Sequence, residues 1–206
     1  LPSGKLNNIY IRRLKGKLGL KSVPSGEVEL RSALAFPCGN PMDGKGINRL
    51  MAIISPWQRV GVASMGAGIS RRTFVYAREF AKRRKAWKEK LVHHGSMRVT
   101  LLHLMSDSEA SDGLIMKVKS LSNSENEPHC KADGRLIRLL APLTKLRCCR
   151  RGVESASMAL EVFGGNGYIA DWPVQRLYRD AQNHTFGKGQ NMSWRTMCCD
   201  RFVIPR

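Results

Sequence analysis

The 206-residue chain is 42% hydrophobic, enough to build a buried core, and holds no apolar run of about 18 residues that would read as a membrane span. Thirty-five Lys and Arg against 16 Asp and Glu give a formal charge of +19, which favours polyanions and phosphate-bearing molecules as partners. The amino end, LPSGKLNNIYIRRLKGK, lacks the apolar block of a signal peptide, so a cytoplasmic protein with no membrane partner is expected.

The chain opens on Leu1 with a polar, strand-like stretch, which reads as a piece of a longer polypeptide. Residues 1–46 are expected to form strands and turns. In KLGLKSVPSGEVELRSALAF, Pro-Ser-Gly punctuation precedes the Val28, Leu30 alternation of a half-buried strand. This β portion is too short to close a sheet of its own. Next, GKGINRLMAII predicts a short helix, and Ser55 and Pro56 offer an N-cap and first helical residue for a long one.

In that long helix Val60, Ala63, Ala67, Ser70, Phe74, Ala77 and Ala81 recur at alternating steps of three and four. They predict one narrow face of small residues for close packing on a neighbouring helix. A second helical run covers roughly residues 97–121, and a polar loop is expected over about 119–134. A third helix is expected from about Asp133 to Phe163, with Leu136, Leu139, Leu143, Leu146, Cys149, Val153, Ala156, Leu160 and Phe163 on its core face. Pro142 should bend it. A fourth, shorter helix starts near Pro173. The expectation is a mainly α chain: the tail of a β domain over 1–46, and a four-helix bundle over 47–206.

Few residues suggest chemistry. The six cysteines, at 38, 130, 148, 149, 198 and 199, lack the two-residue spacing of a zinc site and read as reduced thiols. His93 and His94 are chain neighbours rather than a same-face pair, so no metal site is expected. Residues 71–98 hold ten basic side chains, opposed only by Glu79 and Glu89. This is either a solvated helix face or a contact surface for DNA. GGNGY, with Gly164, Gly165 and Gly167, reads either as a helix stop or as bare backbone that approaches a phosphate. GAG at 66–68 lies within a helical pattern and serves close packing.

Several segments together resemble the FAD-dependent acyl-CoA dehydrogenase family. RLKGKLGLKSVPSGEVEL resembles the end of its β domain, and RVGVASMGAGISRRTFVYAREFAKRRKAW its first bundle helix. RLIRLLAPLTKLRCCRRGVESASMALEVFGGNGYIADWPVQRLYRDAQ resembles its last helices. RLKGKLG, SVPSGEVEL and PLTKLRCCRRGVE are most similar to the alkylation-response, AidB-type branch, which is associated with DNA as well. The resemblance implies the carboxyl-terminal bundle of the acyl-CoA dehydrogenase fold, FAD held across a subunit interface in a homo-oligomer, and an acyl-CoA substrate. Its cofactor contacts fall on Arg84, Trp87, Gly164, Gly165 and Gly167. The family's catalytic glutamate falls on Lys188, with Gln190 where its threonine stands, and the alternative base position falls on Gln58. No catalytic residue is therefore assigned, and weak turnover is expected. Lys88 stands where the family has a glycine after the aromatic residue.

Overall fold

A computed structural model describes residues 6–37, 39–53, 58–124 and 131–186. The chain begins with two antiparallel strands, β1 (Ile9–Leu14) and β2 (Gly26–Leu30), paired Ile9 to Leu30 and Leu14 to Gly26, with a register shift between Ile11 and Arg13. Ion pairs cross the ribbon, Arg13 to Glu27 at 2.9 Å and Lys15 to Glu27 at 3.5 Å, but its apolar residues stay uncovered: Ile9, Ile11, Leu14, Val28 and Leu30 are all exposed. The Val28, Leu30 alternation predicts a half-buried strand, but two strands alone cannot bury a face and both side chains are exposed.

The ribbon is tied to the rest of the chain at its connecting loop. The Leu20 N–H donates to Asp180 Oδ1 at 2.6 Å, and a Cβ on Gly19 would stand 2.4 Å from the Arg179 carbonyl oxygen. Only glycine fits there.

A short helix α1 (Gly46–Ile53) precedes α2 (Arg59–Arg83). The expected start at Ser55 and Pro56 lies outside the described residues. A two-residue hairpin follows, β3 (Lys85–Ala86) with β4 (Glu89–Lys90), then α3 (Gly95–Ser124), α4 (Lys131–Phe163), the single turn α5 (Gly165–Tyr168) and α6 (Val174–Phe186). The polar loop is narrower than 119–134, because helix continues to Ser124 and resumes at Lys131. α4 continues helically past Pro142, and Pro173 directly precedes α6.

The four longer helices α2, α3, α4 and α6 form an up-down-up-down bundle. Val60 of α2 meets Val118 of α3 and Ala141 of α4 at one end. Ala81 meets Leu101, Phe163 and Val174 of α6 at the other. α2 and α4 thus run parallel, and α3 and α6 flank them antiparallel on opposite sides. Every residue of the anticipated α2 face, from Val60 to Ala81, is buried.

The α2–α4 contact is made by backbone. A Cβ on Gly66 would lie 2.9 Å from Cys149 Cα, and one on Gly152 would lie 2.9 Å from the Gly66 oxygen. Glycine at both positions lets the two helices touch without side chains between them.

The α4 face departs from expectation. Cys149, Ala156 and Phe163 are buried as expected, but Leu136 and Leu143 are exposed, and Leu139, Leu146, Val153 and Leu160 only half-buried. The buried stripe lies mostly on other residues: Ile137, Ala141, Thr144, Lys145, Cys148, Ser155 and Ala159. α4 is surrounded by α2, α3 and α6, so close approach on several sides selects small residues over leucine.

Candidate functional site

The expected cofactor contacts lie on two elements that the bundle brings to one end. At the carboxyl end of α2, Arg84 leaves the helix with its N–H bonded to the Phe80 carbonyl at 2.8 Å. Its own carbonyl accepts from the Leu91 N–H at 2.9 Å. The intervening hairpin turns on Trp87 and Lys88, with φ of 49° and 70°. Two successive left-handed residues are the signature of a type I′ turn, which suits the twist of a two-residue hairpin and ordinarily takes Asn-Gly. The glycine that the resemblance puts at position 88 thus has a local backbone reason.

Trp87 stands at the tip, 86% exposed. The exposed side chains of Arg83, Arg84, Lys85, Lys88 and Lys90 surround it in sequence.

The second element is the glycine turn after α4. Phe80 of α2 stacks on Phe163 with ring centroids 4.2 Å apart, and Trp172 sits edge-on to both, at 5.9 Å and 5.5 Å. This aromatic trio, which periodicity alone does not single out, joins the stem of the hairpin to the start of the turn.

The three glycines then do different work. Gly164 adopts φ +59°, ψ −137°, a region closed to side chains, and reverses the chain. Gly167 is buried, and a Cβ on it would lie 2.4 Å from the Leu160 oxygen. Gly165 has an ordinary helical backbone, and nothing lies within 4 Å of where its Cβ would be. Backbone conformation accounts for Gly164 and packing for Gly167, which leaves Gly165 open on the surface.

An exposed indole, an exposed guanidinium and an uncovered glycine backbone at one end of the bundle fit a flat, phosphate-bearing molecule.

Lys188 and Gln190 lie outside the described residues. Gln58 directly precedes α2 at its amino end. It is separated from Arg84 by a 25-residue helix, which spans about 37 Å at 1.5 Å per residue.

Toward the carboxyl end of α6, sequence reasoning missed a buried charged group. Lys145 of α4 is fully buried and its Nζ donates to the Thr185 carbonyl at 2.8 Å, in the last turn of α6. An ammonium there meets the negative end of the helix dipole and one of the carbonyls that helix leaves unpaired. Burial depresses the Lys145 pKa, partly countered by the Cys149 sulfur. Burial also depresses that of His184, against the pull of Asp180. The thiols of Cys148 and Cys149 are pushed up by burial to about 11 and about 12, which makes them inert near neutrality. Lys145 sits among apolar residues at helical spacing, and that placement was its one available signal.

Of the ten basic residues in 71–98, three are paired: Arg71 with Glu109 at 2.5 Å, and Arg78 and Lys82 with Glu79 at 3.1 Å and 3.2 Å. The charge that remains concentrates toward the hairpin. No helix among the described residues is long and apolar enough to cross a membrane.

The profile of the acyl-CoA dehydrogenase C-terminal domain matches residues 44–201. The chain is 30% identical to the putative acyl-CoA dehydrogenase AidB of Escherichia coli over 97% of its own length and 35% of that protein's. The crystal structure of Caenorhabditis elegans ACDH-11 in complex with C11-CoA aligns with a TM-score of 0.90 at 28% identity, over 100% of this chain and 34% of that one. A structure described as the Bd2924 apo-form also gives 0.90, at 29% identity over 97% of this chain and 39% of that one. The sequence therefore spans between about a third and two fifths of these relatives. With the up-down-up-down bundle, the glycine turn and the tip hairpin in place, the chain belongs to the acyl-CoA dehydrogenase family, of which it carries the C-terminal helical domain.

Proposed function

We propose that this chain forms the carboxyl-terminal half of an FAD site in an AidB-like acyl-CoA dehydrogenase, with Arg84, Trp87, Gly164, Gly165 and Gly167 as its cofactor contacts. Gly165 carries the reading, because it is the turn glycine that neither internal packing nor backbone conformation requires. Residues 1–46 would be the end of the family's middle β domain and 47–206 its helical domain. Bound there, FAD supplies the acceptor for the β-hydride of an acyl thioester.

The chain's own residues bind and orient. Arg84 offers a fixed charge to phosphate, Trp87 a face for a flat ring, and the Gly164–Gly165 backbone a close approach. The ACDH-11 complex with C11-CoA supports an acyl-CoA substrate. The 25-residue helix between Gln58 and Arg84 supports a homo-oligomer, since one chain that used both ends would serve two cofactor molecules about 37 Å apart. Buried reduced thiols at Cys148 and Cys149 fit a cytoplasmic setting.

Proton abstraction would be impaired. Lys188 replaces the family's carboxylate, and an ammonium cannot accept the α-proton. The test is to reconstitute the protein with FAD, read the flavin absorbance bands, and then follow dye reduction with short-chain and branched acyl-CoAs. Flavin bands with little turnover are expected. Absent bands would remove the cofactor reading, and robust turnover the impaired one.

A second reading rests on the exposed charges at Arg83, Arg84, Lys85, Lys88 and Lys90. A cluster of this kind can hold DNA phosphates, with affinity that falls steeply as salt rises through counterion release. Absence of salt-dependent duplex binding at low ionic strength would remove it.

A further inference from the structure

The tip hairpin sets a tryptophan on two left-handed residues, a backbone conformation that costs free energy, and its exposure would ordinarily leave the ring loose. One side chain outside the hairpin reaches both parts of it. His94, between the short 3-10 turn at Leu91–His93 and α3, places Nε2 3.3 Å from the Ala86 carbonyl oxygen. Its ring meets that of Trp87 edge to face, with centroids 5.7 Å apart and planes at 77°.

His94 is itself held on both sides. Its N–H donates to the Leu91 carbonyl at 3.1 Å, and its own carbonyl accepts from the Arg98 N–H at 3.1 Å. The Arg98 Nε donates to the Val92 carbonyl at 3.1 Å. The imidazole therefore projects from a backbone fixed to the start of α3, and α3 is anchored in the core through Leu101 and Leu104.

We propose that His94 is a positioning residue: its imidazole clamps the Ala86 carbonyl and the edge of the Trp87 pair, and so holds the exposed indole in one orientation before any ligand arrives. The inference rests on the reading above only in taking Trp87 as a cofactor contact. The clamp itself stands on geometry alone. A ring fixed in advance loses less freedom when a ligand stacks on it, so the clamp raises affinity without touching the ligand.

Two measurements test it. In the first, the indole N–H cross-peak of Trp87 is identified by its loss in Trp87→Phe and then followed in His94→Ala and His94→Gln. His94→Ala is expected to shift and sharpen this cross-peak toward that of a freely rotating indole. His94→Gln can still donate to the Ala86 carbonyl but offers no ring, so it should keep the Leu91 N–H protected from exchange without restoring the cross-peak. It also covers the case in which the alanine variant does not fold. An unmoved Trp87 cross-peak in both variants overturns the clamp.

The second measurement is FAD affinity, read by quenching of flavin fluorescence. Losing one hydrogen bond and one ring contact predicts about 5–10-fold weaker binding by His94→Ala. The double variant with Trp87→Ala should bind no more weakly than Trp87→Ala alone. Independent, additive losses overturn the claim that His94 acts through Trp87. A shifted cross-peak in a protein whose wild type takes up no FAD supports the clamp and overturns the cofactor assignment of Trp87.

Discussion

Glycines carry opposite burdens at neighbouring positions along α2. Alanine at either position gains up to about 1 kcal/mol of helix propensity. At Gly66 the new methyl would stand 2.8–2.9 Å from the backbone of Cys148 and Cys149, and forced overpacking costs about 1–3 kcal/mol, so the clash wins. At Gly68 the methyl meets nothing within 4 Å. Denaturant titration is expected to show Gly66→Ala destabilised and Gly68→Ala stabilised. A gain in both would mean that the helices are not in backbone contact. The same contrast separates Gly167→Ala, expected to lower the melting temperature, from Gly165→Ala, expected to leave it unchanged and to weaken FAD binding. Residue identity alone could not sort these glycines. GAG and GGNG read as packing or ligand motifs, and only the neighbours at 2.4–2.9 Å decide which glycine serves which purpose.

The elements divide between those that announce themselves and those whose surroundings overrule their pattern. The α2 face was legible because that helix buries one narrow stripe, and a three-four repeat of small residues can serve little else. α4 was misread at its leucines, which repeat as regularly as a core face while the bundle buries the stripe with Thr144, Lys145, Cys148 and Ser155. Helical periodicity reports a stripe. It does not say which stripe is crowded when a helix has neighbours on several sides. The tip hairpin was illegible as a turn, since Trp87 and Lys88 are unusual residues for positive φ. Lys88→Gly should relieve that cost. We expect about 0.5–1 kcal/mol of added stability by thermal melting, with the positive-φ penalty of about 1–2 kcal/mol partly offset by glycine's greater freedom when unfolded. Destabilisation instead would show that Lys88 makes a compensating contact.

For the molecule as a whole, buried titratable groups set the pH range over which it stays folded. The thiols of Cys148 and Cys149, raised from 9.0 to about 11 and about 12, give stability that is complete below pH 9 and is lost as pH rises through those values, because the unfolded chain ionises first. Each contributes a slope on the order of 1 kcal/mol per pH unit in that window. Lys145, with its pKa lowered from 10.5, opposes part of the loss as pH approaches 10.5, since the folded form releases its proton early. His184, lowered from 6.5, gives stability that is present above 6.5 and is lost on acidification below it. Melting temperature should therefore form a plateau between about pH 6.5 and 9 and fall on both sides. Replacing both cysteines with serine or alanine should flatten the alkaline limb, and an unchanged limb would assign it to other groups.

The up-down-up-down order also has a kinetic consequence. Each long helix packs on the next one in the chain, and α2 packs on α4 one helix further on, so the bundle can assemble through closures much shorter than that of the ribbon, which docks through a bond from Leu20 to Asp180, 160 residues away. That latch should close after the rate-limiting step. In stopped-flow folding, Asp180→Ala is expected to hasten unfolding and leave the refolding rate near that of the wild type. The ribbon would then be the first part to detach and the last to return, and its uncovered Ile9, Ile11 and Val28 are open to self-association whether or not it is docked.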